Sequence, residues 1–249
     1  MNSELFERRL WIIGQRKELP ASDIWSRFLY GSLPDSVLVS LRSESRNIAS
    51  IKAGKIESIL DSETFSSFEV SGTDFCFNYG QNGGQNYDQI VVDSGSKILT
   101  PDFADELVSE TIASDPCFTQ AHLVDRRYEY LQNIYDPLQF KALGLSVAGL
   151  PMKSNGLPFP LEQKIVDTSR NPGRFALRQG YIEASAAYMW FGANFWKVTG
   201  LSPEAVAAKL PKDVSMRFDV CWKLRASSGV FQSDENRAIQ DRIRQAAFG

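Results

Sequence analysis

The chain has 249 residues, 30 acidic against 27 basic, and a formal net charge of −3. That balance argues against a polyanionic ligand such as nucleic acid, whose affinity comes mainly from basic patches. With 43% hydrophobic and 23% charged residues, the composition is globular, and a chain this long can bury about 70–75% of its unfolded surface without a staple.

Cys76, Cys117 and Cys221 are odd in number and far apart, so no disulfide framework is expected and the compartment reads as reducing. Met1 to Arg9 places acids where a signal peptide carries bases, and only Leu10 to Ile13 follow as an apolar run. No window offers eighteen uninterrupted apolar residues. The expectation is a soluble cytoplasmic protein with no membrane partner.

In chain order, Leu10-Trp11-Ile12-Ile13 ended by Gly14 reads as a buried strand. Pro20 to Asp23 supplies helix-start chemistry, and Ile24, Trp25, Phe28 and Leu29 line one helical face. From Val37 to Ile59 weaker apolar spacing suggests short helices lying on a sheet. Phe75, Phe77 and Tyr79, then Ile90 and Val92, alternate with other residues at the strand period. Gly80 to Asn86 between them reads as a long polar hairpin loop. Asp93 to Ser96 suggests a further turn, and Lys97-Ile98-Leu99 a further strand.

Asp102, Asp105, Glu106, Glu110 and Asp115 occur without a basic residue among them, while Phe103, Leu107 and Ile112 can anchor an amphipathic helix. Its acidic face is either a solvated surface or a site for a cationic partner. Cys117 to Ile134 shows partial helical periodicity. Residues 135–175 are punctuated by Pro and Gly yet stay apolar, which suggests ordered loop wrapping the core.

Gly180 to Gly200 concentrates aromatic rings, each bringing roughly 150–250 Å² to bury. This segment is either the hub of the core or, at Tyr188 to Phe191, a surface anchor for another protein. Ser202-Pro203-Glu204 is a helix start. Met216, Phe218, Val220, Trp222 and Leu224 alternate with Arg217, Asp219, Cys221, Lys223 and Arg225 as in one strand with a buried face. Ser233 is placed to cap a last helix carrying Ile239, Ile243 and Ala246. Interleaved strands and helices over 1–249 give the expectation of a single α+β domain: a mainly antiparallel sheet, flanking helices and a long ordered loop region.

Most reactive constellations are missing. One histidine, His122, and no C-x-x-C leave no zinc motif. Phosphate-cradling glycine motifs and the G-x-S-x-G elbow are absent. Cys117 and His122, five apart, do not face each other on a helix. A carboxylate pair such as Asp167 with Glu183 could do acid/base work. The expectation is no catalytic residue, no cofactor and no metal.

The strand with Trp11 running into Gly14-Gln15-Arg16-Lys17-Glu18, the Trp25-bearing helix and the aromatic-rich hairpin resemble, over the first hundred residues, a kind of bacterial toxin-immunity protein. That family guards against restriction-endonuclease-like nuclease effectors of type VI secretion and polymorphic-toxin systems. The resemblance implies a non-catalytic inhibitor that binds the nuclease domain of a cognate effector. It carries over no residue roles, because such contacts vary with the toxin. An acidic protein suits a nuclease whose phosphate-holding surface is positive. The expected contacts are therefore Asp102, Asp105, Glu106 and Glu110, then Tyr79 and the Asn82 loop, then Tyr188 and Trp190 as aromatic anchors. Two other functions stay open: a small hydrolase or transferase with a carboxylate pair under the 135–175 loops, and a scaffold subunit of a larger complex.

Overall fold

The computed structural model describes residues 6–32, 34, 36–62 and 65–249. The acidic start of the N-terminal segment, Met1 to Leu5, lies outside them. The chain runs β1 (Arg8–Gln15), α1 (Ala21–Ser32), β2 (Leu38–Ser43), β3 (Asn47–Lys52), α2 (Ile56–Ser62), β4 (Ser67–Ser71), β5 (Phe75–Asn82), β6 (Tyr87–Ser94) and α3 (Pro101–Thr111). It continues through β7 (Phe118–Asp125), α4 (Arg126–Asn133), α5 (Pro137–Ala142), β8 (Met152–Ser154), β9 (Lys164–Val166), β10 (Ala176–Arg178), β11 (Tyr181–Glu183) and β12 (Tyr188–Phe191). The last elements are α6 (Ala193–Thr199), α7 (Pro203–Lys209), β13 (Ser215–Phe218), β14 (Trp222–Arg225) and α8 (Arg237–Phe248).

Ten strands form one antiparallel sheet in the order β13-β14-β12-β7-β1-β6-β5-β4-β2-β3. The fold is thus α+β with a mainly antiparallel sheet, and β8–β9 and β10–β11 are separate hairpins. Both faces of the central strands are covered, which explains the unbroken apolar run in β1. Leu10 and Ile12 share one face with Val92, Ile90, Leu123, Ala121, Tyr188 and Trp190. On this face α1 buries Ile24, Trp25, Phe28 and Leu29. The Trp25 ring lies 5.9 Å from Phe75 and 5.4 Å from Phe77. Beyond it α3 begins at Thr100, whose side chain accepts from the Phe103 N–H, with Pro101 in the first turn. On the other face Trp11, Ile13, Tyr87 and Val91 pack under Ile182 and Ala184 of the β10–β11 region. There α8 is tied on by Arg244, which donates to Glu183 at 2.8 Å.

Several expectations need correction. Residues 38–52 form the β2–β3 hairpin rather than helices, because Val39 and Leu41 alternate onto the core face and β2 pairs with β4; only Ile56–Ser62 is α-helical. The first half of the expected 117–134 helix is β7, a central strand, and the helix starts at Arg126, where Asp125 accepts from the Tyr128 N–H. The misleading feature is its polar interior. Gln120 donates to the Ile182 carbonyl at 2.7 Å, and Thr119 accepts from Asn194 at 2.7 Å, so polar side chains stand where apolar ones mark a strand.

The hairpin loop is also shorter than expected: β5 runs to Asn82 and β6 resumes at Tyr87. Strand β6 continues through Asp93 and Ser94, and Ile98 and Leu99 are in a turn whose N–H groups reach the Gly95 carbonyl. Met216 to Leu224 is two strands, β13 and β14, around a turn in which Asp219 N–H donates to the Cys221 carbonyl; Phe218 and Val220 are exposed. Ser233 makes no capping hydrogen bond and leads into a short 3-10 turn before α8. Residues 135–175 hold α5, β8 and β9, and their large side chains from Leu138 to Leu161 are mostly exposed rather than wrapped on the core. Tyr188 to Phe191 is buried throughout, the hub of the core rather than a projecting anchor.

Candidate partner-binding site

Where α3 passes the β12–β14–β13 end of the sheet it leaves a recess of about 250 Å³. The N-terminal half of α3 contributes Asp102, in its first turn, and Asp105, one turn on. The strand period puts Tyr188 and Trp190 of β12 on the same face, and register sets Arg225 opposite Tyr188 and Lys223 opposite Trp190. One strand further, Ser215 and Arg217 pair with Arg225 and Lys223. A wall of acid therefore faces a wall of base across aromatic flooring.

Asp105 is the hub. It accepts from Trp190 Nε1 at 2.7 Å, and Lys223 Nζ lies 3.0 Å from it and 3.0 Å from Asp219. Burial works against the Lys223 charge, but the hydrogen bonds to Asp219 and Asp105 outweigh it and raise the ammonium pKa above its ordinary value. The Arg225 guanidinium lies over the Tyr188 ring, 5.5 Å from its centre. Among the described residues neither Arg217 nor Arg225 has a carboxylate partner, and the buried Tyr188 hydroxyl has no hydrogen-bond partner.

Of the residues expected from sequence as contacts, Asp102, Asp105, Tyr188 and Trp190 come together here, although the two pairs lie far apart in the chain. The rings line the recess without projecting from it; Trp190 is only 2% exposed. Glu106 and Glu110 sit further along α3, and both bind Arg27 of α1, Glu110 at 2.6 Å. Tyr79 and Asn82 lie elsewhere. Strand β5 is four strands from β12, about 19 Å at the usual strand spacing. Tyr79 is buried there with its hydroxyl on Asp88 at 2.8 Å, and Asn82 donates to the Tyr87 hydroxyl. The cations Arg217, Lys223 and Arg225 were missed as site residues. Their alternation along the chain marked them only as one outward face, and nothing local reveals that α3 would stand over it.

Several other titratable groups are buried or paired away from the recess. Arg9 bridges Asp93 at 2.7 Å and Glu129 at 3.2 Å, and Trp11 Nε1 donates to Glu129 at 2.9 Å. Burial raises the Glu129 carboxyl to about 7, against the pull of Arg9 and Trp11. His122 is stacked on Trp11 in mid-sheet, and burial, helped by the charge of Arg9, lowers it to about 3. Cys117 instead donates its thiol to the Glu18 carbonyl, so it makes no pair with His122. Asp167 binds Lys153 at 2.9 Å, whereas Glu183 binds Arg178 and Arg244, so that carboxylate pair shares no partner. Cys76, Cys117 and Cys221 are free and buried. Among the described residues no group of three or more His, Cys, Asp or Glu could hold a metal ion, and no helix is long and apolar enough to cross a membrane.

The sequence matches no protein-family model and no curated protein. Among solved structures the chain is similar in fold to a Pseudomonas aeruginosa T6SS protein, PA0821, with a TM-score of 0.59 at 11% identity, over 97% of this chain and 72% of that one.

Proposed function

We propose that this chain is an immunity protein that binds a cognate secreted effector of the type VI or polymorphic-toxin kind in the cytoplasm and blocks its nuclease domain, without catalysis of its own. The observation that carries the reading is the recess. Four residues singled out as contacts on chemical grounds, Asp102, Asp105, Tyr188 and Trp190, line one cavity together with Arg217, Lys223 and Arg225. Facing walls of opposite charge suit a protein segment bearing both signs better than a uniformly anionic polynucleotide, which the acidic wall repels. The likeness in fold to a T6SS protein is consistent with such a setting. Along the same helix, Glu106 and Glu110 stay about half exposed despite Arg27, so the α3 ridge still offers carboxylate oxygens to a basic nuclease surface.

The test is association with the nuclease domain of the co-encoded effector, followed by stopped-flow at several salt concentrations. The chain should bind and abolish nuclease activity. Asp102→Asn combined with Glu106→Gln should lower the association rate by about tenfold at low salt and flatten its salt dependence. Tight binding with unchanged kinetics in that variant would remove the α3 ridge from the interface. Failure to bind an effector shown to be folded and active would remove the reading itself.

A further inference from the structure

The recess beside α3 carries charge on both walls, but its cations are not equally answered. Lys223 is held twice, by Asp105 and by Asp219, each at 3.0 Å. Asp105 is fully engaged, since it also accepts from Trp190 Nε1. Among the described residues Arg217 has neither an ion pair nor a hydrogen bond, and Arg225 has no carboxylate, only the Ser227 carbonyl at 3.3 Å.

The sheet sets these two arginines side by side. Arg217 of β13 is directly opposite Lys223 of β14, and Arg225 is two positions along β14 on the same face. The two arginines are therefore diagonal neighbours, about 7–8 Å apart at the backbone, close enough for both guanidinium groups to reach one anion. Arg225 is steadied by the Tyr188 ring beneath it. The Tyr188 hydroxyl, in a residue only 6% exposed, has no hydrogen-bond partner either. Basic wall and floor alike thus present donors that this chain leaves unmet.

The surroundings select the anion. A planar carboxylate takes two parallel hydrogen bonds from a guanidinium, and its single charge is the least opposed by Asp102 and Asp105 nearby. A phosphate monoester, with nearly two charges at neutral pH, meets more of that repulsion. The recess of about 250 Å³ has room for an inserted side chain.

We propose that the recess seats an acidic side chain of the bound effector, its carboxylate held between Arg217 and Arg225. This names the group recognised at the proposed interface and rests on the inhibitor reading. The two parts of the surface then act on different rates. Carboxylates on the α3 ridge steer the approach, whereas the enclosed carboxylate–arginine contact slows departure.

The test is a double-mutant cycle on the complex with the effector's nuclease domain, read as the dissociation rate. On this chain the changes are Arg217→Gln, Arg217→Lys, and Arg217→Gln with Arg225→Gln; on the nuclease domain each surface Asp and Glu becomes Asn or Gln in turn. Circular dichroism checks folding, and Arg217 is exposed with no contact to disturb. The double arginine variant should dissociate at least tenfold faster than the parent, and Arg217→Lys should lose less than Arg217→Gln. One effector substitution should produce a similar loss alone and little further loss in combination. A parent that binds while the double arginine variant keeps the parent's rate overturns the seat and spares the inhibitor reading, as do effector losses that all simply add. A parent that binds no active effector overturns both. Glutarate titrated into the chain alone, followed by tryptophan fluorescence, should not saturate below millimolar concentration. Saturation at micromolar concentration, lost in the double arginine variant, would assign the recess to a free dicarboxylate and overturn the proposal.

Discussion

Glu129 and His122 are two titratable groups that burial pushes in opposite directions, so each conceals the other's effect on stability. Glu129 is raised from 4.5 to about 7. Between these values the folded chain keeps a proton that the unfolded chain has released, so its contribution to stability falls as pH rises. His122 is lowered from 6.5 to about 3. There the unfolded chain holds the extra proton, so its contribution rises with pH. From pH 4.5 to 6.5 the two slopes, each up to about 1.4 kcal/mol per pH unit, oppose one another. Glu129→Gln removes one of them, and stability of that variant should climb across this interval while the parent changes little. Thermal unfolding over a pH series checks this, and parallel curves would show that Glu129 does not titrate there. Asp105 gives a second test at this scale. Asp105→Ala leaves the buried Trp190 N–H without its acceptor and should cost about 1–3 kcal/mol in urea unfolding, whereas Asp105→Asn keeps an oxygen there and should cost clearly less.

Among the elements, β12 and β7 are pressed together at one glycine. A Cβ on Gly192 would overlap the backbone carbonyl of Phe118, and the Gly192 N–H donates to Thr119 at 2.9 Å just before α6 begins. Neither backbone can yield without breaking that pairing. Gly192→Ala should therefore destabilise the fold by about 1–3 kcal/mol or more, visible as a lowered midpoint in denaturant. The same pair of strands shows what the sequence could and could not reveal. The α1 stripe, the β1 run and the capped start of α7 at Ser202 were legible because local chemistry and burial agree in them. Strand β7 was not, since Thr119, Gln120 and His122 are satisfied or enclosed only by partners brought from far along the chain. The β13–β14 turn was hidden because Asp219-Val220-Cys221 contains neither Gly nor Pro, so the alternation read straight through it. The acidic half of the recess was visible as a run of carboxylates, but its basic half needed the sheet order.

On the scale of the whole molecule, the segment 138–166 and the sheet are nearly separate in their packing. The Ile134, Phe140 and Val166 cluster is distinct from the main core, and the tip is tied by its own Asn155. Replacing residues 156–162 by two glycines should then leave the thermal midpoint of a dilute sample within about 2 °C of the parent, since the lost side chains are exposed. A drop several times larger would mean that the tip supports the core after all.

The sheet itself is not separable, because β1 pairs with β6 on one side and with β7 on the other, and β7 receives β12 only later. During synthesis this sequence of pairings becomes a delay. Once Asp125 has emerged, about sixty more residues must be added before Tyr188 can follow, which at ribosomal speeds of about 5–20 residues per second takes roughly 3–12 s. For that interval the growing chain presents the unpaired backbone edge of β7 in the middle of what will become its sheet, the period in which a chaperone has most to shield.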